Sequence, residues 1–210
     1  MFQSLLSLAL VAVAAVSAQS TTPAPEPVFK FGTPTYFGSG CPKDTLMVIP
    51  STDGQSVSVL FSEFRATTGI NVTRERKSCN LAVPVDIKSG VSVGVFRVDY
   101  RGNVYVPKIS GAYAQFDAEY YFAGQRGPVA LEKYANGTSK DLYVTNAVPV
   151  GAVVWSPCGA STIFRINSAV TAFKPQALRD GDEVQIAVDS VDSTIEHGFR
   201  YFLTTRPCQQ

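Results

Sequence analysis

The chain has 210 residues, a formal net charge of +1 and a hydrophobic fraction of 45%, enough for one globular core. Basic residues cluster only at Arg74-Glu75-Arg76-Lys77, where an acid interrupts the run. This near-neutral balance argues against a nucleic-acid partner and against an anionic membrane surface.

The first eighteen residues have the pattern of a secretory signal peptide. They carry no charged side chain, and their apolar run is too short to span a bilayer. The run ends in Val16-Ser17-Ala18, small residues of the kind that signal peptidase recognises. We therefore predict a signal peptide over residues 1–18, with a membrane anchor as the alternative. Residues 19–29 are predicted to form a proline-rich, extended lead-in to a domain over residues 30–208.

Four cysteines, an even number, follow this leader: Cys41, Cys79, Cys158 and Cys208. In an oxidising compartment they are expected to pair, and no Cys-x-x-Cys or Cys/His cluster indicates a metal site. Four cysteines allow three pairings. We favour Cys41–Cys79 with Cys158–Cys208, because each bond then crosslinks one half of the chain, whereas a Cys41–Cys208 bond would not.

Two Asn-x-Thr motifs predict N-glycosylation. They begin at Asn71 and Asn136, and both lie in polar, turn-like surroundings. Glycans there would keep both loops at the surface, and chance occurrence of so short a motif is the alternative.

Short segments rich in β-branched and aromatic residues follow one another along the chain, separated by Gly, Pro, Asn or Asp. Many short strands at this spacing predict an all-β, single-domain antiparallel β-sandwich or jelly roll. The predicted strands are 57–61, 81–87, 91–95, 104–106, 119–122, 148–154, 163–166, 184–188 and 199–203. The predicted turns are Asp53-Gly54, Ser89-Gly90, Asn136-Gly137 and Asp180-Gly181.

Several short blocks between Gly38 and Cys208 occur in an order that resembles a known family. The family is the group of secreted fungal proteins named as domain of unknown function 4360. The resemblance implies a secreted β-rich domain with the same four-cysteine framework, and it implies no assigned activity. The blocks are Gly38-Ser39-Gly40-Cys41-Pro42, Phe61-Ser62-Glu63-Phe64, Arg76-Lys77-Ser78-Cys79, Asp99-Tyr100-Arg101-Gly102, Tyr120-Tyr121-Phe122-Ala123-Gly124, Trp155-Ser156-Pro157-Cys158-Gly159 and Val188-Asp189-Ser190-Val191-Asp192.

The single histidine, His197, restricts the enzyme classes that the sequence can support. A Ser-His-Asp hydrolase would need it as the general base, but no Gly-x-Ser-x-Gly turn is present. Zinc hydrolases need a cluster of ligands that is absent once the cysteines are paired. We predict no catalytic residue, metal or cofactor.

Carboxylate pairs remain open, because glycoside cleavage needs only two of them at suitable separation. Strand alternation places Arg97, Asp99 and Arg101 on one face, and two neighbouring arginines favour the ionised form of Asp99. That state is wrong for a general acid, and a surface ion-pair ladder is the alternative interpretation. The candidate carboxylates are Asp99, Asp117, Glu119 and Glu63.

The segment from Tyr113 to Phe122 is the richest in aromatic residues. Alternation puts Tyr120 in the core and Tyr121 outside, so Tyr113 and Tyr121 could stack against sugar rings. The candidate ligand-binding residues are therefore Asp99, Arg101, Tyr113 and Tyr121. Two acidic segments, 180–183 and 189–192, could hold calcium, although neither matches an EF-hand and turns explain both.

The leading hypothesis is a secreted, non-enzymatic protein at the cell surface or in the cell wall, with cell-wall polysaccharide as its candidate partner. One alternative is a polysaccharide hydrolase or lyase that uses carboxylates or tyrosine. Another is a secreted effector that binds a protein. No nucleic-acid or membrane partner is expected.

Overall fold

The computed structural model describes residues 27–176, 182–188 and 198–208. Nearly all of the regular structure is β, as predicted, with one short 3-10 turn at Val150–Ala152. The strands are β1 (Phe29–Phe31), β2 (Thr35–Phe37), β3 (Leu46–Pro50), β4 (Ser56–Phe61), β5 (Arg65–Thr67), β6 (Arg74–Ile87), β7 (Val91–Val106), β8 (Tyr113–Phe122), β9 (Val129–Ala135), β10 (Thr138–Ala147), β11 (Thr162–Phe173), β12 (Gln185–Ala187) and β13 (Phe199–Pro207).

The strands form two antiparallel sheets. The six-stranded sheet has the order β1-β6-β11-β8-β9, and β2 also pairs with β6. The seven-stranded sheet has the order β3-β4-β13-β7-β12-β5, and β10 also pairs with β7. The predicted all-β sandwich is thus confirmed.

Three of the predicted turns join strands that are consecutive in the chain. Gly54 lies between β3 and β4, Gly90 between β6 and β7, and Gly137 between β9 and β10. Each has a φ of +69° to +81°, a conformation that a residue with a Cβ rarely adopts. The fourth predicted turn, at Asp180-Gly181, lies outside the described residues.

Aromatic rings from both sheets meet in the core around Phe199 of β13. Its ring centroid lies 5.5 Å from that of Phe116 in the opposite sheet, and 5.0 Å from those of Phe61 and Tyr100 in its own sheet. Tyr201, two residues further on, contacts Tyr120 across the sandwich at 5.9 Å. Large apolar rings therefore hold the two sheets together.

Both predicted disulfides are present. Cys41–Cys79 fastens the loop between β2 and β3 to β6, with 5.4 Å between the Cα atoms. Cys158–Cys208 fastens the segment after β10 to the end of β13, with 5.7 Å between the Cα atoms. Each bond closes a long loop and thereby restricts the unfolded chain.

The strand predicted over 148–154 is wrong. Val150 begins the 3-10 turn and is 89% exposed, so it cannot be the centre of a buried strand. Pro149 has no N–H to donate to a sheet, and Gly151 contributes no side chain to pack. Conversely, the predicted segments do not include β3, β9 and β10, most of whose residues are exposed or half-buried.

Three tyrosine hydroxyls are buried in the core without a hydrogen-bond partner among the described residues: Tyr100, Tyr120 and Tyr201. Burial raises the pKa of Tyr120 to about 12, and it raises the pKa values of Tyr100 and Tyr201 well above the ordinary value. The core thus contains polar groups that are tolerated only while neutral.

Replacing Phe199 with alanine should lower the free energy of unfolding by about 3–5 kcal/mol, because it leaves a cavity between the sheets. Phe199→Leu should cost clearly less, since most of the volume is kept. Urea denaturation followed by circular dichroism measures both. Phe37→Ala is the control, because Phe37 is 69% exposed; an equal loss there would contradict the role of the core ring.

Stability should fall as the pH rises above about 10. Tyrosines of the unfolded chain ionise near pH 10, whereas Tyr100, Tyr120 and Tyr201 stay neutral in the folded state. The folded state then holds more protons, so raising the pH favours unfolding. Urea midpoints between pH 8 and 11.5 test this. Tyr120→Phe should make the decline shallower, and an unchanged slope would count against Tyr120 as a contributor.

Candidate functional site

The structure places the four predicted ligand-binding residues on two different faces. Asp99 and Arg101 belong to β7 of the seven-stranded sheet, and Tyr113 and Tyr121 belong to β8 of the six-stranded sheet. The residues that alternate with them, such as Tyr100, are buried between the sheets. Each pair therefore lies on the outer face of its own sheet, and the four do not converge in one groove.

The outer face of the six-stranded sheet carries a row of four side chains in register across four strands. Phe37 of β2 pairs with Asn80 of β6, Asn80 with Asn167 of β11, and Asn167 with Glu119 of β8. Directly opposed residues of this kind have Cβ atoms about 5 Å apart. We call these four residues the polar row. It places an exposed ring, two amides and a carboxylate in one line.

Tyr121 lies beside the polar row. Its hydroxyl accepts a hydrogen bond of 3.2 Å from the side-chain amide of Asn167, and Arg165 is its register partner on β11. The side chain is half-buried, so part of the ring remains accessible. The bond fixes the orientation of both Tyr121 and Asn167.

Tyr113 lies at the other end of β8, eight residues and roughly 27 Å from Tyr121. Its ring packs 4.9 Å from that of Phe173, and the Lys133 ammonium lies 4.0 Å from its centroid. Tyr113 and Tyr121 are therefore not one stacking surface. Between them Arg76 donates to both carboxylate oxygens of Asp117, at 3.1 and 3.4 Å, so this candidate carboxylate is already paired.

On the seven-stranded sheet, Asp99 is engaged by the protein itself. Arg97 donates two hydrogen bonds to its carboxylate, at 2.8 and 2.7 Å, and the Thr145 hydroxyl donates a third at 3.0 Å. The hydrogen bond to Asp99 raises the pKa of Arg97. The side chains of Arg97, Asp99 and Arg101 do lie on one face, as alternation predicted, and Asp99 is only 7% exposed.

An open groove of about 570 Å³ lies at one end of the sandwich, and sequence patterns gave no sign of it. It contains two carboxylates, Glu63 and Glu75. Glu75 accepts a hydrogen bond of 2.7 Å from the backbone N–H of Thr67 and pairs with Lys77 at 3.3 Å. The groove is lined by Ser39, Pro42, Ser62, Glu63, Arg65, Thr67, Glu75 and Lys77.

Metal ligands do not gather within the described part of the chain, where no group of three or more His, Cys, Asp or Glu side chains could hold an ion. His197 and most of the two acidic segments lie outside the described residues. Within the same residues no helix is long and apolar enough to cross a bilayer.

Comparison with known proteins gives a family and no activity. The family model described as a domain of unknown function, DUF4360, matches residues 30–208. An uncharacterized secreted protein of Arthroderma benhamiae is 34% identical over 152 residues, which are 70% of this chain and 60% of that protein. The match thus spans less than two thirds of that relative.

Among solved structures, TmCBM61 in complex with beta-1,4-galactotriose is similar at a TM-score of 0.32 and 14% identity. The alignment covers 82% of this chain and 88% of that one. A likeness this low assigns neither a ligand nor a role to any residue.

Proposed function

The chain belongs to the DUF4360 family, and on this premise we propose that it is a secreted, non-enzymatic protein that binds polysaccharide at a cell surface or in a cell wall. The proposed site is the polar row together with Tyr121, on the outer face of the six-stranded sheet. Asp99, Arg101 and Tyr113 are not part of it.

The observation that carries the proposal is the register that aligns Phe37, Asn80, Asn167 and Glu119 across four strands. Sugar hydroxyls both donate and accept hydrogen bonds. Asparagine amides do the same, and a carboxylate adds a strong acceptor. An accessible ring such as that of Phe37, which is 69% exposed, can cover the apolar face of a sugar. The row thus supplies the groups that an extended glycan needs.

The rigidity of the site also supports binding. All of its side chains stand on strands, and Tyr121 is tied to Asn167 by a hydrogen bond. Side chains that are already ordered lose less conformational entropy when a ligand arrives. An open sheet face suits a chain of sugars better than a small molecule, which favours an enclosed pocket.

Three features support export. The two disulfides are typical of proteins from oxidising compartments, and the Arthroderma benhamiae relative is named as secreted. The candidate glycosylation sites Asn71 and Asn136 are both exposed, as an acceptor must be. We therefore place the protein outside the cell.

The groove that contains Glu63 and Glu75 favours one second candidate, a carboxylate-dependent polysaccharide hydrolase. Glu75, held by Lys77 and the Thr67 N–H, would be the charged partner, and Glu63 the proton donor. Incubation with soluble β-glucan and an assay for new reducing ends distinguishes the two candidates. Release that Glu63→Gln abolishes would support the hydrolase, and no release would exclude it for that polymer.

Tyr121→Ala should weaken retention on the polysaccharide that the protein binds by about tenfold, because it removes a ring and frees the Asn167 amide. Asn167→Ala should have a similar effect. The measurement is depletion of the protein from solution by insoluble chitin, β-glucan or cellulose.

Tyr105→Ala is the matched control, because Tyr105 is also an outward-facing tyrosine but lies on the seven-stranded sheet. Its retention should equal that of the unmodified protein. Equal losses for the two tyrosine variants, or no retention of the unmodified protein on any of the three polymers, would contradict the proposed site.

A further inference from the structure

A β-bulge brings an aromatic ring and a guanidinium group together on the outer face of the seven-stranded sheet. Phe202 of β13 pairs with Arg97 of β7, but the next residue, Leu203, pairs with Val95, so Phe96 is the extra residue. Val95 is buried, whereas Phe96 is 42% exposed and Arg97 lies beside it. A bulge redirects side chains in this way and often does so at functional sites.

Guanidinium groups pack against aromatic rings across this face. The guanidinium carbons of Arg97 and Arg200 lie 4.7 and 5.0 Å from the ring centroid of Phe202, and that of Arg101 lies 4.4 Å from the ring centroid of Tyr143. Such contacts hold the cations in place over the sheet. We call this surface the arginine–aromatic face; it consists of Phe96, Arg97, Arg101, Tyr143, Arg200 and Phe202.

The charges at the centre of this face are paired unevenly. Asp99 is neutralised by Arg97 and not by its register partner Arg200. Arg200 instead donates to the neutral Ser56 hydroxyl, at 3.3 and 3.2 Å.

Arg200 has no carboxylate partner within ion-pair distance in the part of the chain that is described. The charge of Arg200 has only a weak effect on the carboxylate of Asp53. The pKa of Asp53 is lowered chiefly by its hydrogen bond from Ser51, and Arg200 is the smallest of the contributions. The exposed guanidinium of Arg200 is therefore available to an external anion.

We propose that the arginine–aromatic face binds a polyanionic glycan whose sugar rings carry carboxylates. A guanidinium group holds a carboxylate through two parallel hydrogen bonds, and a neighbouring ring covers the apolar face of the sugar. Arg200 supplies the guanidinium group, and the rings come from Phe202, which Arg200 contacts, and from Phe96, whose ring centroid lies 6.3 Å from that of Phe202. This site lies on the opposite side of the molecule from the polar row and does not depend on it.

The test is titration calorimetry of the protein, in the form in which it is secreted, with polygalacturonate oligomers at low salt. The methyl ester of the same oligomers, which lacks the charge, should bind at least about tenfold more weakly. Arg200→Gln should weaken binding of the acid form by about tenfold, and Phe96→Ala should weaken it as well.

Arg126→Gln is the matched control, because Arg126 is exposed in the turn between β8 and β9 and the substitution changes the net charge equally. It should alter binding less than about twofold, and so should Tyr121→Ala beside the polar row. Failure of the polar-row site would thus leave this result unchanged.

Three outcomes would overturn the proposal. These are no binding of the acid oligomers by the unmodified protein, equal binding of the ester, and equal losses for Arg200→Gln and Arg126→Gln. Polyacrylate, a carboxylate polymer without sugar rings, should bind more weakly than polygalacturonate of similar length. If it binds equally well and Phe96→Ala has no effect, the face attracts charge alone and the glycan part of the proposal is wrong.

Discussion

The packing of aromatic rings around Phe199 determines most of what this protein can present to its surroundings. Those rings come from β4, β7, β8 and β13, and they occupy the space between the sheets. Because side chains alternate along a strand, each ring directed inward forces its neighbours outward. Tyr121 is on the surface because Tyr120 is in the core, and Arg101 because Tyr100 is. The composition of the core therefore fixes both outer faces.

The two faces have opposite chemistry on one framework. The polar row offers amides, a carboxylate and a ring with little net charge, whereas the arginine–aromatic face offers fixed cations beside rings. Both are built on strands, and both contain a contact that orders side chains before any ligand arrives: Tyr121 with Asn167, and Arg97 with Asp99. Side chains that are ordered in this way favour selective binding, since they cannot rearrange around a ligand of the wrong shape or charge.

Local sequence patterns predicted the features that depend on residues close together in the chain. Strict alternation in β8 indicated that Tyr121 lies outside, and the turns at Gly54, Gly90 and Gly137 followed from the residues that tolerate positive φ. The polar row could not be predicted, because Asn80 and Asn167 meet through a register between segments far apart in the chain. The strand predicted at 148–154 failed for a different reason: its valines fit the composition of a strand, but Pro149 has no N–H to donate to a ladder.

The positions of the two Asn-x-Thr motifs bear on how the molecule could be displayed. Asn71 lies in the connection from β5 to β6, and Asn136 in the turn from β9 to β10. Both connections carry the chain from one sheet to the other, so both asparagines lie at the rim of the sandwich. Glycans attached there would extend outward from the rim of the sandwich. They would shield the edges of the sandwich from contact with other molecules and leave the outer faces of both sheets accessible. Each sheet could then contact a different polymer.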